Sequence, residues 1–118
     1  MSGGGGLTHS KKIAAVAEAH YVGVVPHNPL SPMSTSACLQ LAAGIPNFII
    51  QEYPIGELES PKSEIVTEPL KQEGGFLMIP DGSRIGVELA DDAETRYLPI
   101  VYGEIGARLG VDGSVVDQ

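Results

Sequence analysis

The sequence predicts an α/β fold in which helices alternate with short parallel strands. Two observations support this prediction: two helical patterns are each followed by a short apolar run, and the connections are only a few residues long. The length of 118 residues allows one small domain at most, since a domain takes roughly 100–200 residues. A complete (β/α)8 barrel needs about 250 residues, so this chain cannot form one by itself.

The first α/β unit begins with a helix predicted over residues 8–20, with Thr8 or Ser10 as its N-cap. The residues of its apolar face follow the spacing i, i+3, i+4, i+7: Ile13, Val16, Ala17 and His20. The β-branched run at 22–25 then predicts a buried parallel strand. It ends at Pro26-His27-Asn28-Pro29, because two prolines interrupt strand pairing.

The second unit repeats this order. Ser31 and Pro32 are typical of the cap and first position of a helix. Its apolar residues recur every four positions: Met33, Ala37, Leu41 and Ile45. Gly44-Ile45-Pro46 ends this helix, and residues 48–50 predict a second buried strand that leads into Gln51-Glu52-Tyr53-Pro54.

The second half of the chain differs in composition. Residues 55–73 are polar and acidic, which predicts a long surface loop whose carboxylates between Glu57 and Glu64 are solvated. Short strands are expected at 76–79 and 85–89, on either side of Pro80-Asp81-Gly82. A helical turn is expected at 91–97, and the tail beyond 101 has no clear pattern.

Composition limits the classes of partner. The formal charge of -8 argues against binding to nucleic acid or to an anionic membrane surface. One cysteine, Cys38, excludes an internal disulfide framework and favours a cytoplasmic location. The N-terminus lacks the features of a signal peptide, and no apolar run reaches the ~20 residues of a membrane span. Cys38 lies among Ala and Leu, where we expect an inert buried thiol.

His27 and Glu52 are the candidate functional residues. Each follows a predicted strand and begins a proline-containing loop, so a right-handed crossover would bring both to one crevice. A carboxylate there could orient the imidazole or bind a substrate hydroxyl, which suits proton transfer. The alternative is that both residues are simply structural or solvated. His9 is expected to be exposed, and His20 to pack against the core or to extend from the apolar face towards solvent.

Several motifs resemble those of a known superfamily. They are Gly5-Gly6-Leu7-Thr8, Lys12-Ile13-Ala14, Ala17-Glu18-Ala19, Pro26-His27-Asn28-Pro29, Ala42-Ala43-Gly44-Ile45-Pro46-Asn47-Phe48, Gln51-Glu52, Gly74-Gly75-Phe76, Gly86-Val87-Glu88-Leu89 and Asp112-Gly113-Ser114-Val115. Together they resemble the C-terminal barrel part of the mandelate racemase/enolase superfamily, in particular sugar-acid dehydratases of the galactonate dehydratase type.

The resemblance implies a fold, a reaction and roles for three residues. The fold would be the C-terminal part of a (β/α)8 barrel. The reaction would be magnesium-assisted removal of the proton alpha to a carboxylate, followed by loss of water from a sugar acid. His27 would be the general acid/base, while Glu52 and Asn28 would bind substrate. The family's three magnesium carboxylates, and the Asp that orients the His, have no counterpart in this chain, so no metal ligand is assigned here.

These implications divide the chain into three parts. Residues 1–6 would be a flexible lead-in, 7–54 the last α/β units of the barrel, and 55–118 an extension packed on the barrel and capping domain. We expect the isolated chain to be inactive and to self-associate, or to bind a complementing chain, through exposed barrel edges. The alternatives are one half of a split enzyme and a non-catalytic remnant that acts as an interaction module.

Overall fold

The computed structural model describes residues 5–97, so residues 1–4 of the predicted lead-in (1–6) and residues 98–118 of the predicted extension (55–118) lie outside the described residues. The elements follow in the order α1 (Gly6–Ala19), α2 (Pro32–Ala43), a 3-10 helix (Lys62–Ile65), β1 (Gln72–Glu73), β2 (Phe76–Leu77) and α3 (Ala93–Arg96). No helix within residues 5–97 is long and apolar enough to cross a membrane.

Helix α1 begins two residues before the predicted start. Its cap is Gly5, whose φ of 80° places it in the left-handed region that favours glycine. No side chain caps the helix, so the prediction of Thr8 or Ser10 as N-cap is wrong. A glycine cap costs little relative to a hydroxyl cap, which is why the helix can begin earlier.

The buried face of α1 is narrower than the apolar pattern predicts. Ala14 is 1% exposed and packs with Leu41 and Ile45, whereas Ile13 and Val16 are 52% and 64% exposed. The predicted packing of His20 is also wrong, since this residue is exposed. The reason is that α2 covers only one side of α1, and no other described element covers the side that carries Ile13 and Val16.

The two predicted strands meet in a single parallel bridge. Val24 pairs with Phe48: the Val24 N–H donates to Asn47 O at 2.8 Å, and the Ile49 N–H donates to Val24 O at 3.1 Å. The predicted order helix, strand, helix, strand is therefore right, but the strands are shorter than expected. They are not buried, since Ile49 and Ile50 are 65% and 61% exposed, because no other described strand flanks the pair.

Helix α2 begins and ends as predicted. Ser31 Oγ accepts a hydrogen bond from the Ser34 N–H at 3.4 Å, Pro32 occupies the first turn, and Gly44 is the C-cap. Its buried side chains are more polar than expected and differ from the predicted stripe: Pro32, Thr35, Ser36, Cys38, Leu39 and Leu41. Cys38 is buried as predicted, and this burial raises the pKa of its thiol.

Residues 55–97 contain little regular structure. Strands β1 and β2 form a two-residue antiparallel hairpin around Gly74 and Gly75, both with positive φ. The predicted strand at 85–89 does not pair with β2; instead Leu89 forms an antiparallel bridge with Val66. The predicted helical turn near the end is confirmed as α3.

Replacement of Leu41 by Ala should destabilise the fold by about 2–5 kcal/mol, because Leu41 is 5% exposed at the contact between α1 and α2. The measurement is the urea unfolding midpoint of the native protein that contains this sequence. Leu41→Met nearly conserves volume and should cost less than about 1.5 kcal/mol. Equal effects of the two substitutions would contradict this assignment of the core.

Candidate functional site

The parallel bridge brings the two proline-containing loops side by side. Val24 and Phe48 are paired, and the chain continues from them to His27 and Glu52 in the same direction. The Asn28 N–H donates a hydrogen bond to Glu52 Oε2 at 2.6 Å, which joins the loops directly. The two loops therefore meet, as expected, at the carboxyl ends of two parallel segments.

His27 and Glu52 form an ion pair or hydrogen bond between the two loops. Nδ1 of His27 lies 2.8 Å from Glu52 Oε2, and the two side chains are 79% and 43% exposed. One carboxylate oxygen thus contacts both a backbone amide and the imidazole. This contact fixes the ring orientation while the imidazole stays accessible to a small molecule, an arrangement that suits general acid/base chemistry.

The Glu52 carboxylate is stabilised in its ionised form. The hydrogen bond from the Asn28 backbone amide is the main cause that holds the pKa of Glu52 below its ordinary value, and His27 lowers this pKa further. Glu52 is therefore negatively charged at neutral pH. A charged partner on Nδ1 stabilises the imidazolium that forms when a histidine accepts a proton.

Asn28 lies beneath the pair rather than on the surface. Asn28 is fully buried, and its Nδ2 donates a hydrogen bond to Thr35 Oγ1 at 2.6 Å. The structure therefore shows Asn28 as a link between the loop and helix α2. Its predicted contact with substrate, like the predicted roles of His27 and Glu52, stays a prediction.

Sequence reasoning missed two members of this site. Glu57 was expected to be solvated, but it is 2% exposed, and Thr35 Oγ1 donates to its Oε2 at 2.6 Å. Burial raises the pKa of Glu57, opposed by Thr35 and Lys62. No local pattern distinguishes Glu57 from the other carboxylates of its acidic loop. Thr35 was recognisable only as a small polar residue in a predicted helix, which does not indicate a role in the site.

The described residues do not form a metal site. Within residues 5–97, no group of three or more His, Cys, Asp or Glu side chains is placed to hold a metal ion. His27 and Glu52 by themselves offer two donors, fewer than the set of oxygen ligands that magnesium takes.

Residues 1–93 match the family described as Enolase C-terminal domain-like. The chain belongs to this family. The match covers the two α/β units, the loops with His27 and Glu52, and the loop that carries Glu57. The family assignment predicted from the motifs is thereby confirmed.

Similar curated proteins include sugar-acid dehydratases. The chain is 34% identical to a D-galactonate dehydratase from Cronobacter sakazakii over 97 residues, which is 78% of this chain and 25% of that protein. It is 36% identical to a D-xylonate dehydratase from Haloferax volcanii over 100 residues, which is 85% of this chain and 24% of that protein. The chain therefore spans about a quarter of the length of these relatives.

Solved structures show the same fold. An enolase of the mandelate racemase subgroup from Agrobacterium tumefaciens matches with a TM-score of 0.67 and 33% identity, over 78% of this chain and 24% of that one. A Burkholderia xenovorans protein whose structure holds magnesium and fumarate matches with a TM-score of 0.75 and 34% identity. That match covers 83% of this chain and 24% of the other, so the α/β fold class is confirmed.

Glu52 should stabilise the fold at neutral pH and lose this effect in acid. Its folded-state pKa lies below the unfolded value, so the stabilisation is present above about pH 4.3 and lost as pH falls through the folded pKa. The difference in unfolding midpoint between the unmodified protein and Glu52→Gln should therefore be larger at pH 7 than at pH 3. A difference that is independent of pH would contradict the hydrogen bond to Asn28.

Proposed function

We propose that this chain supplies the His27 side of the active site of a magnesium-dependent sugar-acid dehydratase, acting on an aldonate such as galactonate. In this reaction a base removes the proton alpha to the substrate carboxylate, and a hydroxyl on the neighbouring carbon leaves as water. The observation that carries the proposal is the contact between His27 Nδ1 and Glu52 Oε2 at 2.8 Å. Membership of the enolase C-terminal domain-like family and the dehydratase relatives support it.

His27 is the proposed general acid/base. Its imidazole is exposed and held by a charged carboxylate, so it is placed to accept a proton from the substrate or to return one. Glu52 has two roles in this proposal. Oε2 orients the ring, and Oε1 accepts a hydrogen bond from a substrate hydroxyl. Asn28 contributes through its backbone amide, which positions Glu52 beside the substrate.

We also propose that residues 7–54 are the last α/β units of a (β/α)8 barrel, with 55–118 as an extension packed on it. The barrel would place both loops at the carboxyl ends of its strands, where such enzymes bind their ligands. The described residues do not form a magnesium site, so the proposed ion belongs to other parts of the native protein. The roles of His27 and Glu52 do not depend on its position.

The exposed apolar edges favour a second candidate role as an interaction module. Val22, Val25, Ile49 and Ile50 are each at least half exposed beside the parallel bridge. Unpaired strand edges with apolar side chains readily pair with another strand. This surface suits a second copy of the chain or a complementing chain that supplies the rest of the barrel. The acidic charge disfavours binding to nucleic acid and to anionic membranes. We propose a cytoplasmic location, which the single cysteine favours.

His27→Asn should lower the dehydration rate at least about 100-fold, because an amide cannot exchange the substrate's alpha proton. The assay uses the native protein that contains this sequence, with magnesium and a panel of aldonates, and follows the 2-keto-3-deoxy product. The control is His9→Asn, since His9 is exposed on α1. Full activity of His27→Asn would exclude His27 as the base.

The isolated 118-residue chain with added magnesium should show no dehydration of any aldonate. It has the proposed base but, among residues 5–97, no side-chain group that could hold the metal. Measurable turnover by the purified chain would contradict the proposal that other residues supply the magnesium ligands. The intact mass of the native polypeptide, detected through a peptide that contains Glu52, distinguishes a longer enzyme from a short chain with a partner.

A further inference from the structure

We propose that Glu57 is a positioning residue, which acts through Thr35 and Asn28 to hold the Glu52 carboxylate against His27. This inference rests on the proposed function only for its catalytic consequence. The contacts themselves belong to the described fold. Glu57 lies in the loop after the second α/β unit and has no place in the reaction described above.

The contacts form one continuous path. Thr35 Oγ1 donates to Glu57 Oε2 at 2.6 Å and accepts from Asn28 Nδ2 at 2.6 Å. The backbone N–H of the same Asn28 donates to Glu52 Oε2, also at 2.6 Å. Because side chain and amide belong to one residue, locking the side chain limits rotation of the amide. The path ends at His27 Nδ1, 2.8 Å from that same carboxylate oxygen.

The path is anchored on a rigid element. Thr35 lies in the first turn of α2, where its N–H donates to Ser31 O at 2.9 Å. Thr35, Asn28 and Glu57 are all at most 2% exposed, so water does not compete for these hydrogen bonds. By contrast, Glu52 and His27 are exposed and need a support that holds them.

A buried carboxyl is costly unless its contacts compensate for it. Glu57 makes one side-chain hydrogen bond to Thr35, and its Oε1 has no partner among the described residues. An apolar side chain of similar size would avoid the desolvation cost. We therefore attribute the carboxyl at position 57 to the order that its hydrogen bond imposes on Thr35 and Asn28, not to added stability.

The test compares Glu57→Leu with Glu57→Gln in the native protein that contains this sequence. Leucine removes the acceptor 2.6 Å from Thr35 Oγ1 and leaves this hydroxyl only Ser31 O at 3.3 Å, whereas glutamine keeps an acceptor at position 57. We expect Glu57→Leu to lower kcat about tenfold or more with KM changed less than about threefold, since a small misplacement of catalytic groups is costly. Glu57→Gln should restore most of the rate. The matched control is Glu68→Leu, which replaces an exposed carboxylate.

A double-mutant cycle separates positioning from general damage. If Glu57 acts through Glu52, then Glu52→Gln with Glu57→Leu should be no slower than Glu52→Gln alone. Likewise, Glu52→Gln with Thr35→Val should be no slower than Glu52→Gln alone. Thr35→Ser, which keeps the hydroxyl, should retain activity. Multiplication of the two losses, or equal loss in Glu57→Gln and Glu57→Leu, would overturn the proposal.

A second readout does not require activity. Carbon-13 labelling of glutamate carboxyl groups reports the pKa of Glu52, whose signal is identified by its absence in Glu52→Gln. We expect this pKa to rise toward the ordinary value in Glu57→Leu and to stay low in Glu57→Gln. An unchanged pKa in Glu57→Leu would refute positioning. Absence of dehydration by the unmodified protein would refute the proposed function alone, since this titration would still decide the role of Glu57.

Discussion

The parallel contact between Val24 and Phe48 is the constraint on which the site depends. Two backbone hydrogen bonds, from Val24 to Asn47 and from Ile49 to Val24, set the direction and offset of the two segments. With direction and offset set, the loop that carries His27 and the loop that carries Glu52 both begin at the same end of the parallel pair. Residues 24 positions apart in sequence, Asn28 and Glu52, can then share a hydrogen bond of 2.6 Å. Two hydrogen bonds from Asn28 to Glu52 then join the aligned loops.

Two carboxyl groups five residues apart have opposite electrostatic environments. Glu52 is partly exposed and accepts a hydrogen bond from the Asn28 backbone amide, so its pKa is lowered and it carries a negative charge. Glu57 is buried, so its pKa is raised by desolvation. Thr35 and Asn28 connect the two groups through hydrogen bonds. Different environments separate the pKa values of neighbouring acids and so allow them different roles. Here Glu52 contacts His27, and Glu57 holds Thr35.

Much of the apolar surface around this site is exposed. The chain spans about a quarter of its dehydratase relatives, and the apolar side chains of Ile13, Val16, Ile49 and Ile50 are more than half exposed. In a closed barrel each strand has a neighbour on both sides and helices outside. The paired segments here have one described neighbour each. The exposed surface therefore favours the alternative of an interaction module, whereas the prediction of isolated inactivity rests on the lack of a metal-binding group among residues 5–97.

The sequence by itself determined the order of helices and extended segments, the N-cap at Ser31, and the pairing of the His27 and Glu52 loops, because these depend on local patterns and on one topological rule. It also determined the family, through motifs that the match over residues 1–93 confirms. Only the tertiary structure decided that Ala14 packs where Ile13 was expected, and that Glu57 is buried. Periodicity marks which residues are apolar but not which of them finds a partner, and burial of one carboxyl in an acidic loop depends on contacts across 22 positions.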